Sequence, residues 1–393
     1  MKRLFIIGAS VLQLPAIQKA KEMGLYVAVA DFNPKAAGIP YADKFYEVST
    51  IDEEGIYRAA KDFHADGIMT LATDMPMRSV AYATSKLGLT GITYDTAVKA
   101  TDKGEMIKAF EASGVEHPWY FILPEPDALK EVEDRITYPC ISKPVDNAGS
   151  RGVMLIHSHA ELKEAIGYSS SNGRKGGVII EEYLQGKEVS VEIMSIDGDV
   201  HVLQVTDKLT TGAPHFVEMG HSEPSRLGED NVEKIRNLAK RAVKAVGIEN
   251  GPAHVEIMLT ENGPKMIELG ARMGGDNITT HLVPLSTGID MVKATIQVAL
   301  GEKPDIEPKF EKGSAIRYFK EQFGMLSNIE GVSVAEQLEG VKQVTLVKEI
   351  GDTVGEIGSS VDRIGYVIAQ GATVGDAVEI CEKAINQIKI TVV

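Results

Sequence analysis

The first hundred residues alternate between short apolar runs and stretches in which apolar positions recur at helical spacing. Residues 4–7 form a continuous apolar run, which is typical of a strand buried on both faces of a parallel sheet. Gly8 ends this run, and helical periodicity follows over residues 15–23, with Pro15 in the first turn. The other strand candidates here are residues 26–30, 45–48 and 67–71. The alternation predicts a βαβ series and therefore a small parallel sheet.

A βαβ series also occurs in dinucleotide-binding domains, which carry the glycine pattern G-x-G-x-x-G after the first strand. Here Gly8-Ala9-Ser10 is followed by Val11 and Leu12, so the pattern is incomplete. We therefore favour a sheet that contributes one wall of a substrate cleft over a sheet that binds NAD.

The pattern changes after residue 101 to a helix and then to short β-rich segments separated by glycine turns. An Asp197-Gly198 turn predicts a hairpin between its flanking strands. The predicted strands are residues 140–144, 152–156, 178–182, 188–196 and 200–206, with two more around Glu256 and Glu268. The predicted helices are residues 103–113, 231–246 and 373–388, the last closing a unit of short strands that begins near residue 305.

The chain has 393 residues, 44% hydrophobic and 25% charged, which indicates an ordered globular protein of two or three domains. Its formal net charge of -15 argues against sequence-independent affinity for nucleic acid or an anionic membrane surface. Cys140 and Cys381 lie in unrelated contexts, so neither a disulfide framework nor structural zinc is expected. The start resembles no signal peptide, and no run of ~20 apolar residues exists, so we expect a cytoplasmic protein.

The first motif with chemical content is KPVDNAGSRGV at residues 143–153. Lys143 ends an apolar strand, and a small polar turn with Gly149, Ser150 and Gly152 follows. Such a turn can present backbone N–H groups to phosphate oxygens while the lysine supplies positive charge. An ordinary hairpin with a surface lysine is the alternative interpretation.

The second motif is VIIEEYLQGKEVSVE at residues 178–192. A buried strand ends in Glu181 and Glu182, turns at a glycine and restarts with Glu188, which then shares one face of the new strand with Glu192. Acids on both sides of a turn suit a hinge that offers backbone groups to a purine and a carboxylate to a ribose. A solvated acidic face is the alternative interpretation.

The third motif is a predicted hairpin in which residues 253–259 and 266–270 alternate across a turn at residues 260–264. The alternation places His254 and Glu256 on one face, and Glu268 on the face of Met266. A hairpin centred near residue 262 makes Glu256 and Glu268 cross-strand neighbours, where like charges repel. A divalent cation removes that conflict, and carboxylates beside a triphosphate suit Mg²⁺. Two solvent-facing glutamates are the alternative interpretation.

Solvent-facing glutamates do not explain Arg272, Gly274, Gly275 and Asp276, which follow immediately. A guanidinium placed after the acids suits bidentate contact with a γ-phosphate or a carboxylate.

These three motifs, in this order and at this spacing, resemble the ATP-grasp superfamily over essentially the whole chain. ELGARMGGD at residues 268–276 and DRIGYV at residues 362–367 are most similar to the branch with L-amino-acid ligases and biotin-carboxylase-like proteins. The resemblance implies a multidomain fold of the α/β and α+β classes. It comprises a Rossmann-like pre-ATP-grasp domain (1–100), a two-lobed ATP-grasp domain (101–304, with a small flap lobe at about 115–184) and a C-terminal lid subdomain (305–393) completing the large lobe.

The resemblance also implies roles for individual residues. The residues implied to bind ATP are Lys103, Lys143, Gly149, Ser150, Gly152, Glu181, Glu182, Tyr183, Leu184 and Glu188. Glu256 and Glu268 are the implied ligands of Mg²⁺, for which Mn²⁺ is a substitute, and Arg272 and Lys208 are the candidate catalytic residues. The candidates for substrate contact are Asp74, His215, Glu218, His254, Gly274, Gly275 and Asp276.

One position departs from the family pattern. Many ATP-grasp enzymes have an asparagine two residues after the second metal acid, and that position is Gly270 here. One metal ligand is therefore missing, which leaves the number of Mg²⁺ ions open.

The implied reaction is phosphoryl transfer from ATP to a substrate carboxylate, followed by attack of an amine on the acyl phosphate, with release of ADP and phosphate. The expected partners are small-molecule carboxylate and amine substrates, without nucleic acid or membrane, in a chain that assembles as a homodimer. A purine-pathway ligase such as phosphoribosylglycinamide synthetase, or a carboxyphosphate-forming enzyme similar to carbamoyl-phosphate synthase, is the alternative. An ATP-binding module without turnover is the non-enzymatic alternative.

Overall fold

The computed structural model describes residues 1–147, 149 and 151–393. The strands are β1 (Arg3–Ile7), β2 (Tyr26–Asp31), β3 (Lys44–Glu47), β4 (Gly67–Met69), β5 (Tyr120–Leu123), β6 (Cys140–Pro144), β7 (Met154–Ile156), β8 (Val178–Glu182), β9 (Lys187–Ile196), β10 (Asp199–Thr210), β11 (Glu218–Glu223), β12 (Gly251–Thr260), β13 (Gly263–Gly270), β14 (Gly313–Tyr318), β15 (Gly324–Glu330), β16 (Val341–Leu346), β17 (Thr353–Val354), β18 (Gly365–Gly371) and β19 (Lys389–Val392). The helices are α1 (Leu14–Glu22), α2 (Glu53–Phe63), α3 (Met77–Leu87), α4 (Tyr94–Thr101), α5 (Lys103–Ala112), α6 (Leu162–Asn172), α7 (Glu229–Val246), α8 (Val283–Thr287), α9 (Met291–Ala299), α10 (Val332–Glu336) and α11 (Val374–Gln387), with a π-helical turn at Ile278–Leu282.

Strands β3, β2, β1 and β4 form, in that order, a parallel sheet, which confirms the predicted βαβ series. Residues 4–7 are fully buried because helices cover both faces of this sheet. Helices α2 and α3 pack on one face, and α1 and α9 pack on the other. Because α9 comes from a much later part of the chain, it joins the N-terminal sheet to the rest of the protein.

Strands β5, β8, β6 and β7 form a separate antiparallel sheet, which we call the small sheet. Helix α6 covers one of its faces, where Leu162 and Ile166 pack against Ile156 and Ile180. Strand β8 leaves this sheet and continues into β9 of the largest sheet after residues 183–186. These four residues are therefore the link between two sheets.

The largest sheet has the order β13-β12-β9-β10-β11-β14-β18-β16, and its neighbouring strands pair antiparallel. Helix α7 covers one face, where Ile235 and Leu238 pack with Val191 and Val255. Strands β14, β18 and β16 come from the last 81 residues, so the C-terminal part of the chain extends the same sheet. On the opposite face, Met194 packs with α9, whereas Glu188 and Glu192 of the same strand place polar side chains there.

The C-terminal part also forms the sheet β17-β15-β19, and α11 packs between it and the large sheet. Cys381 of α11 lies in this core, and both it and Cys140 are buried and free. Within the described ranges, no helix has the length and apolar character needed to cross a bilayer.

The hairpin β12–β13 pairs Glu256 with Glu268, which confirms the predicted register. A β-bulge follows, and Ile257 then pairs with Met266. Cross-strand partners share a face, whereas Glu256 and Ile257 are consecutive and lie on opposite faces. Met266 therefore packs in the core while Glu268 lies on the other face, so the prediction that they share a face was wrong.

The link between the two sheets requires a glycine at position 186. A Cβ there would lie 2.0 Å from the carbonyl oxygen of Leu259, which is a backbone atom of β12 and cannot rotate away. We expect Gly186→Ala to force the link away from β12 and to lower the free energy of unfolding by roughly 1–3 kcal/mol in urea denaturation.

Gly167→Ala is the matched control, because a Cβ at this exposed position of α6 meets nothing within 4 Å. Alanine in a helix interior should raise stability by about 0.5–1 kcal/mol. Equal effects of the two substitutions would show that the close approach at position 186 has no energetic consequence.

Candidate active site

The two hairpin acids lie at the centre of a cluster of charged side chains on the face of the large sheet opposite α7. Lys208 Nζ lies 3.2 Å from a Glu256 carboxylate oxygen, and Lys103 Nζ lies 3.0 Å from one of Glu268. Each acid therefore has its own lysine partner, which offsets the repulsion between the two carboxylates. The side chains remain 19% and 26% exposed, so an incoming ligand can reach both acids.

Lys208 is the most connected charge of the cluster and is only 3% exposed. Its ammonium lies 2.5 Å from Glu188, 3.2 Å from Glu256 and 3.6 Å from Glu218. Burial acts to lower the pKa of Lys208, but attraction to these three acids outweighs it and raises the pKa well above its usual value. Burial likewise opposes ionisation of Glu256, yet Lys208 and His254 hold the pKa of Glu256 well below its usual range.

A second buried ion pair joins the strands of the small sheet. Lys143 of β6 and Glu181 of β8 are both nearly inaccessible, with 2.6 Å between ammonium and carboxylate. Burial acts to lower the pKa of Lys143, but attraction to Glu181 raises it. A narrow cavity beside this pair is lined by Lys103, Glu181 and Met266, among others. The two predicted lysines therefore lie at the same end of the cleft.

Lys103 begins α5, where Asp102 caps the helix by accepting from the backbone N–H groups of Gly104 and Glu105. Its ammonium also donates to the carbonyl of Asn147 at 2.7 Å, which ties it to the glycine-bearing turn. Gly149 and Gly152 of that turn have φ of +69° and +81°. The predicted residue Ser150 lies outside the described residues.

The link between the sheets carries the predicted hinge residues. Glu182 accepts a 2.7 Å contact from Lys265 of β13, and the Tyr183 ring packs 6.2 Å from that of Phe216. Leu184 is buried, and Glu188 follows at the start of β9 with Lys208 as its partner. The hinge therefore leads directly into Glu188, which belongs to the charged cluster around Lys208.

Arg272, just beyond β13, contacts Asp74 from the loop after β4. Its Nε donates to one carboxylate oxygen at 3.0 Å and its Nη2 to the other at 3.1 Å, a bidentate pair. Burial acts to lower the pKa of Arg272, while Asp74 raises it above its usual value. In the structure the Asp74 carboxylate accepts both of these hydrogen bonds from Arg272, and its contact with substrate stays a prediction.

His254 lies between two acids. Its Nδ1 is 2.7 Å from Glu192, which is completely buried, and its Nε2 is 3.4 Å from Glu256. Burial disfavours the charged ring, but Glu192 outweighs it and raises the pKa of His254 to about 9. A Cβ at Gly274 would lie 2.6 Å from His254 Nδ1, so a glycine is needed above this pair.

Of the other predicted substrate residues, some lie in the charged cluster around Lys208 and others contact the C-terminal part of the chain. Asp276 is held by Arg363, with two 2.8 Å contacts, and by His221 at 3.4 Å. His215 contacts Glu356 of the C-terminal part at 3.0 Å, away from the acid pair, whereas Glu218 joins the Lys208 cluster. A Cβ at Gly275 would meet nothing within 4 Å.

Sequence reasoning missed Arg363, Glu192 and Glu223 as parts of this region. Arg363 stacks on the Tyr318 ring at 3.8 Å and reaches Asp276 from the C-terminal part, a contact that no local pattern indicates. The sequence pattern put Glu192 on the same face of the strand as Glu188. That shared face was the one indication in the sequence that Glu192 lies near the site.

Chemically, the site offers two reachable carboxylates, an arginine suited to a bidentate oxyanion and, in Lys103 and Lys143, two lysines suited to phosphate. Within the described ranges, no group of three or more acidic, histidine or cysteine side chains is arranged to hold a metal by itself. The pair of carboxylates fits Mg²⁺ that takes its remaining ligands from phosphate and water, as is usual for this ion.

The chain matches two protein families. Residues 136–281 match the ATP-grasp domain, and residues 317–393 match the L-amino acid ligase C-terminal domain 2. The first match contains both members of the acid pair and Arg272, and the second contains Arg363.

Individual relatives agree with these families. The alanine–anticapsin ligase of Bacillus subtilis is 28% identical over 323 residues, covering 76% of this chain and 67% of the relative. Phosphoribosylglycinamide synthetase from Anaerococcus prevotii superposes with a TM-score of 0.81 at 25% identity over the full length of both chains. L-amino acid ligase from Bacillus licheniformis superposes with a TM-score of 0.85 at 24% identity, covering 100% of this chain and 99% of that one.

One buried acid beneath the site generates a pH prediction. Glu223 is fully buried and accepts hydrogen bonds of 2.9 Å from Thr206 and Ser286, and burial raises its pKa to about 8. The folded protein therefore binds a proton that the unfolded chain releases at a lower pH, so this contribution to stability is lost as pH rises through about 8.

We expect Glu223→Gln, which mimics the protonated acid, to gain on the order of 4 kcal/mol over the parent between about pH 5 and about pH 9. The measurement is the free energy of unfolding of both proteins across this range. The exposed Glu249→Gln is the control, and it should parallel the parent. Parallel curves for Glu223→Gln as well would mean that Glu223 is ionised in the folded protein.

Proposed function

Since this chain is an ATP-grasp ligase that joins a carboxylate to an amine, we propose that its substrates are amino acids or short peptides. The observation that carries the proposal is the pair Glu256 and Glu268, each with its own lysine and followed at once by Arg272. The family of residues 317–393 supports the amino-acid class. The products are an amide or peptide, ADP and phosphate.

ATP lies, in this proposal, between the small sheet and the large sheet. Lys103 and Lys143 contact its phosphates, beneath the turn that contains Gly149 and Gly152. The hinge at Glu181, Glu182, Tyr183 and Leu184 contacts the adenine, and Glu188 holds the ribose. Phosphate oxygens would replace the acids as partners of the two lysines, so ATP binding exchanges ion pairs within the protein for ion pairs with the nucleotide.

Glu256 and Glu268 are the proposed Mg²⁺ ligands. Bound Mg²⁺ supplies charge neutralisation for the β- and γ-phosphates, which facilitates phosphoryl transfer. Lys208 is too deeply buried to meet a substrate, and we assign it the role of holding Glu188, Glu218 and Glu256 close together and of keeping Glu256 ionised. His254, clamped by Glu192, fixes the orientation of Glu256 from the other side.

The reaction then proceeds in two steps. A carboxylate oxygen of the first substrate attacks the γ-phosphorus, the bond to ADP breaks, and an acyl phosphate forms. The amine of the second substrate attacks the acyl carbon, loses a proton and expels phosphate. Arg272 stabilises the charge on the transferring group, and catalysis rests mainly on positioning and electrostatics.

A panel of amino acids and short peptides, tested singly and in pairs, should give ADP release that requires Mg²⁺ and an added carboxylate. We expect Glu268→Gln to reduce this release roughly 100-fold, because it removes one of the two charges that hold the metal. The measurement is a coupled ADP assay with mass spectrometry of the product.

Glu261→Gln is the matched control, because Glu261 is an exposed acid in the turn of the same hairpin and should leave the rate unchanged. ATP binding without ADP release on any member of the panel would instead favour a binding module.

The second candidate is a purine-pathway ligase, favoured by the full-length superposition on phosphoribosylglycinamide synthetase. Glycine with phosphoribosylamine is the discriminating substrate pair. We expect it to give no more ADP than glycine alone, and a large excess would overturn the amino-acid assignment.

We also propose that the chain forms a homodimer and acts in the cytoplasm. Two free, buried cysteines suit a reducing compartment. Light scattering of the purified protein tests the dimer.

A further inference from the structure

The glycine that departs from the family pattern lies against a side chain from another domain. A Cβ built on Gly270 would lie 2.6 Å from Asp74 Oδ1 and 3.1 Å from Arg272 Nε. The nearer atom belongs to a carboxylate that accepts one hydrogen bond from Arg272 on each oxygen, so it cannot move away without disturbing that pair. The space that an asparagine at position 270 would occupy is therefore filled by Asp74.

The contact between Asp74 and Arg272 determines which way the guanidinium faces. Arg272 uses its Nε and Nη2 on Asp74, and its Nη1 donates to the carbonyl of Met273 at 3.3 Å. A guanidinium has five N–H donors. Three are engaged by described residues, which leaves two for an incoming oxyanion.

The loop that carries Asp74 is itself held in place. Gln13 donates to the carbonyl of Leu71 at 2.8 Å, Ala72 has a φ of +55°, and the carbonyl of Asp74 accepts from Met77 N at 3.1 Å. The next residue, Met75, contacts Arg174 near the end of α6, which packs on the small sheet. The loop therefore lies where the N-terminal sheet, the small sheet and the large sheet meet.

We infer that Asp74 is a positioning residue: from the N-terminal domain it orients the Arg272 guanidinium toward the transferring phosphate, using the space that Gly270 leaves open. The role rests on the proposed function. It also explains the departure at position 270, because a side chain there and the contact between Asp74 and Arg272 exclude each other. The asparagine ligand of the family pattern is absent, and in its place the contact with Asp74 makes the orientation of the Arg272 guanidinium depend on the N-terminal domain.

A double-mutant cycle tests this role through the turnover of ADP release. We expect Asp74→Ala to lower kcat about 10- to 100-fold, while the KM for ATP changes less than about threefold, because a misplaced group costs rate rather than nucleotide affinity. In an Arg272→Ala background the same substitution should change kcat less than about twofold, because Asp74 then has nothing to orient.

Asp62→Asn is the control for the loss of a carboxylate from the same domain, because Asp62 is 64% exposed and its side-chain partners among the described residues are Lys44 and Tyr46 at the surface. It should leave kcat unchanged. Asp74→Asn, which keeps the side-chain volume, replaces Asp74→Ala if the latter fails to fold.

Position 270 gives a readout that does not depend on activity. Gly270→Ala should lower the Tm in the parent, where the new methyl group meets Asp74, and should lower it by less than half as much when combined with Asp74→Ala. Equal losses in the two backgrounds would show that Asp74 does not occupy this space.

Four kinetic outcomes overturn the role. Asp74→Ala that leaves kcat unchanged, or that lowers it equally with and without Arg272, excludes positioning through the arginine. A rise in kcat would mean that Asp74 withholds Arg272 rather than presents it. An increase confined to the KM of the amine would instead assign Asp74 to direct substrate contact. A parent that releases no ADP with any carboxylate removes the proposed function itself, whereas an active parent with an unimpaired Asp74→Ala removes only this role.

Discussion

The site depends on holding two negative charges next to each other. The hairpin register places Glu256 opposite Glu268, and like charges in this position destabilise a sheet. The structure satisfies this constraint with Lys208 on one acid and Lys103 on the other. Both lysines are largely buried, and a buried charge without a partner is costly. The acids and the lysines therefore stabilise one another in the structure.

This constraint explains why the site draws on every part of the chain. Lys103 begins a helix that leads into the small sheet, Lys208 and the acids come from the large sheet, and Asp74 comes from the N-terminal sheet. Arg363, from the C-terminal part, holds Asp276 only four residues after Arg272. Because opposite charges on different segments complete one another, the cluster forms only when all segments are in place.

Local patterns were sufficient where a motif lies within one hairpin or one turn. The cross-strand pairing of Glu256 with Glu268 follows from alternation and turn chemistry, and the structure has it. Alternation alone predicted the wrong face for Met266, because a β-bulge shifts the register by one residue. No residue type in the hairpin indicates that bulge. The parallel N-terminal sheet was predictable from a different pattern, because its apolar runs are short and continuous, as expected of strands buried on both faces.

Contacts between distant segments could not be predicted from the sequence. Nothing near residue 74 indicates that its carboxylate meets Arg272, and nothing near residue 363 indicates a partner at Asp276. Gly270 was visible only as a missing ligand, because the atom that fills its space is supplied by another domain. Asp74 and Asp276, both expected to contact substrate, have arginine partners that only the tertiary structure reveals.

The central claim is that a substrate carboxylate is phosphorylated by ATP. It is tested most directly by following oxygen from an ¹⁸O-labelled carboxylate, supplied with the amine that completes the active pair. Mass spectrometry of the released phosphate should find one ¹⁸O per turnover, because the oxygen that attacks the γ-phosphorus leaves with phosphate when the amine attacks the acyl carbon. Unlabelled phosphate accompanying product formation would contradict an acyl phosphate intermediate.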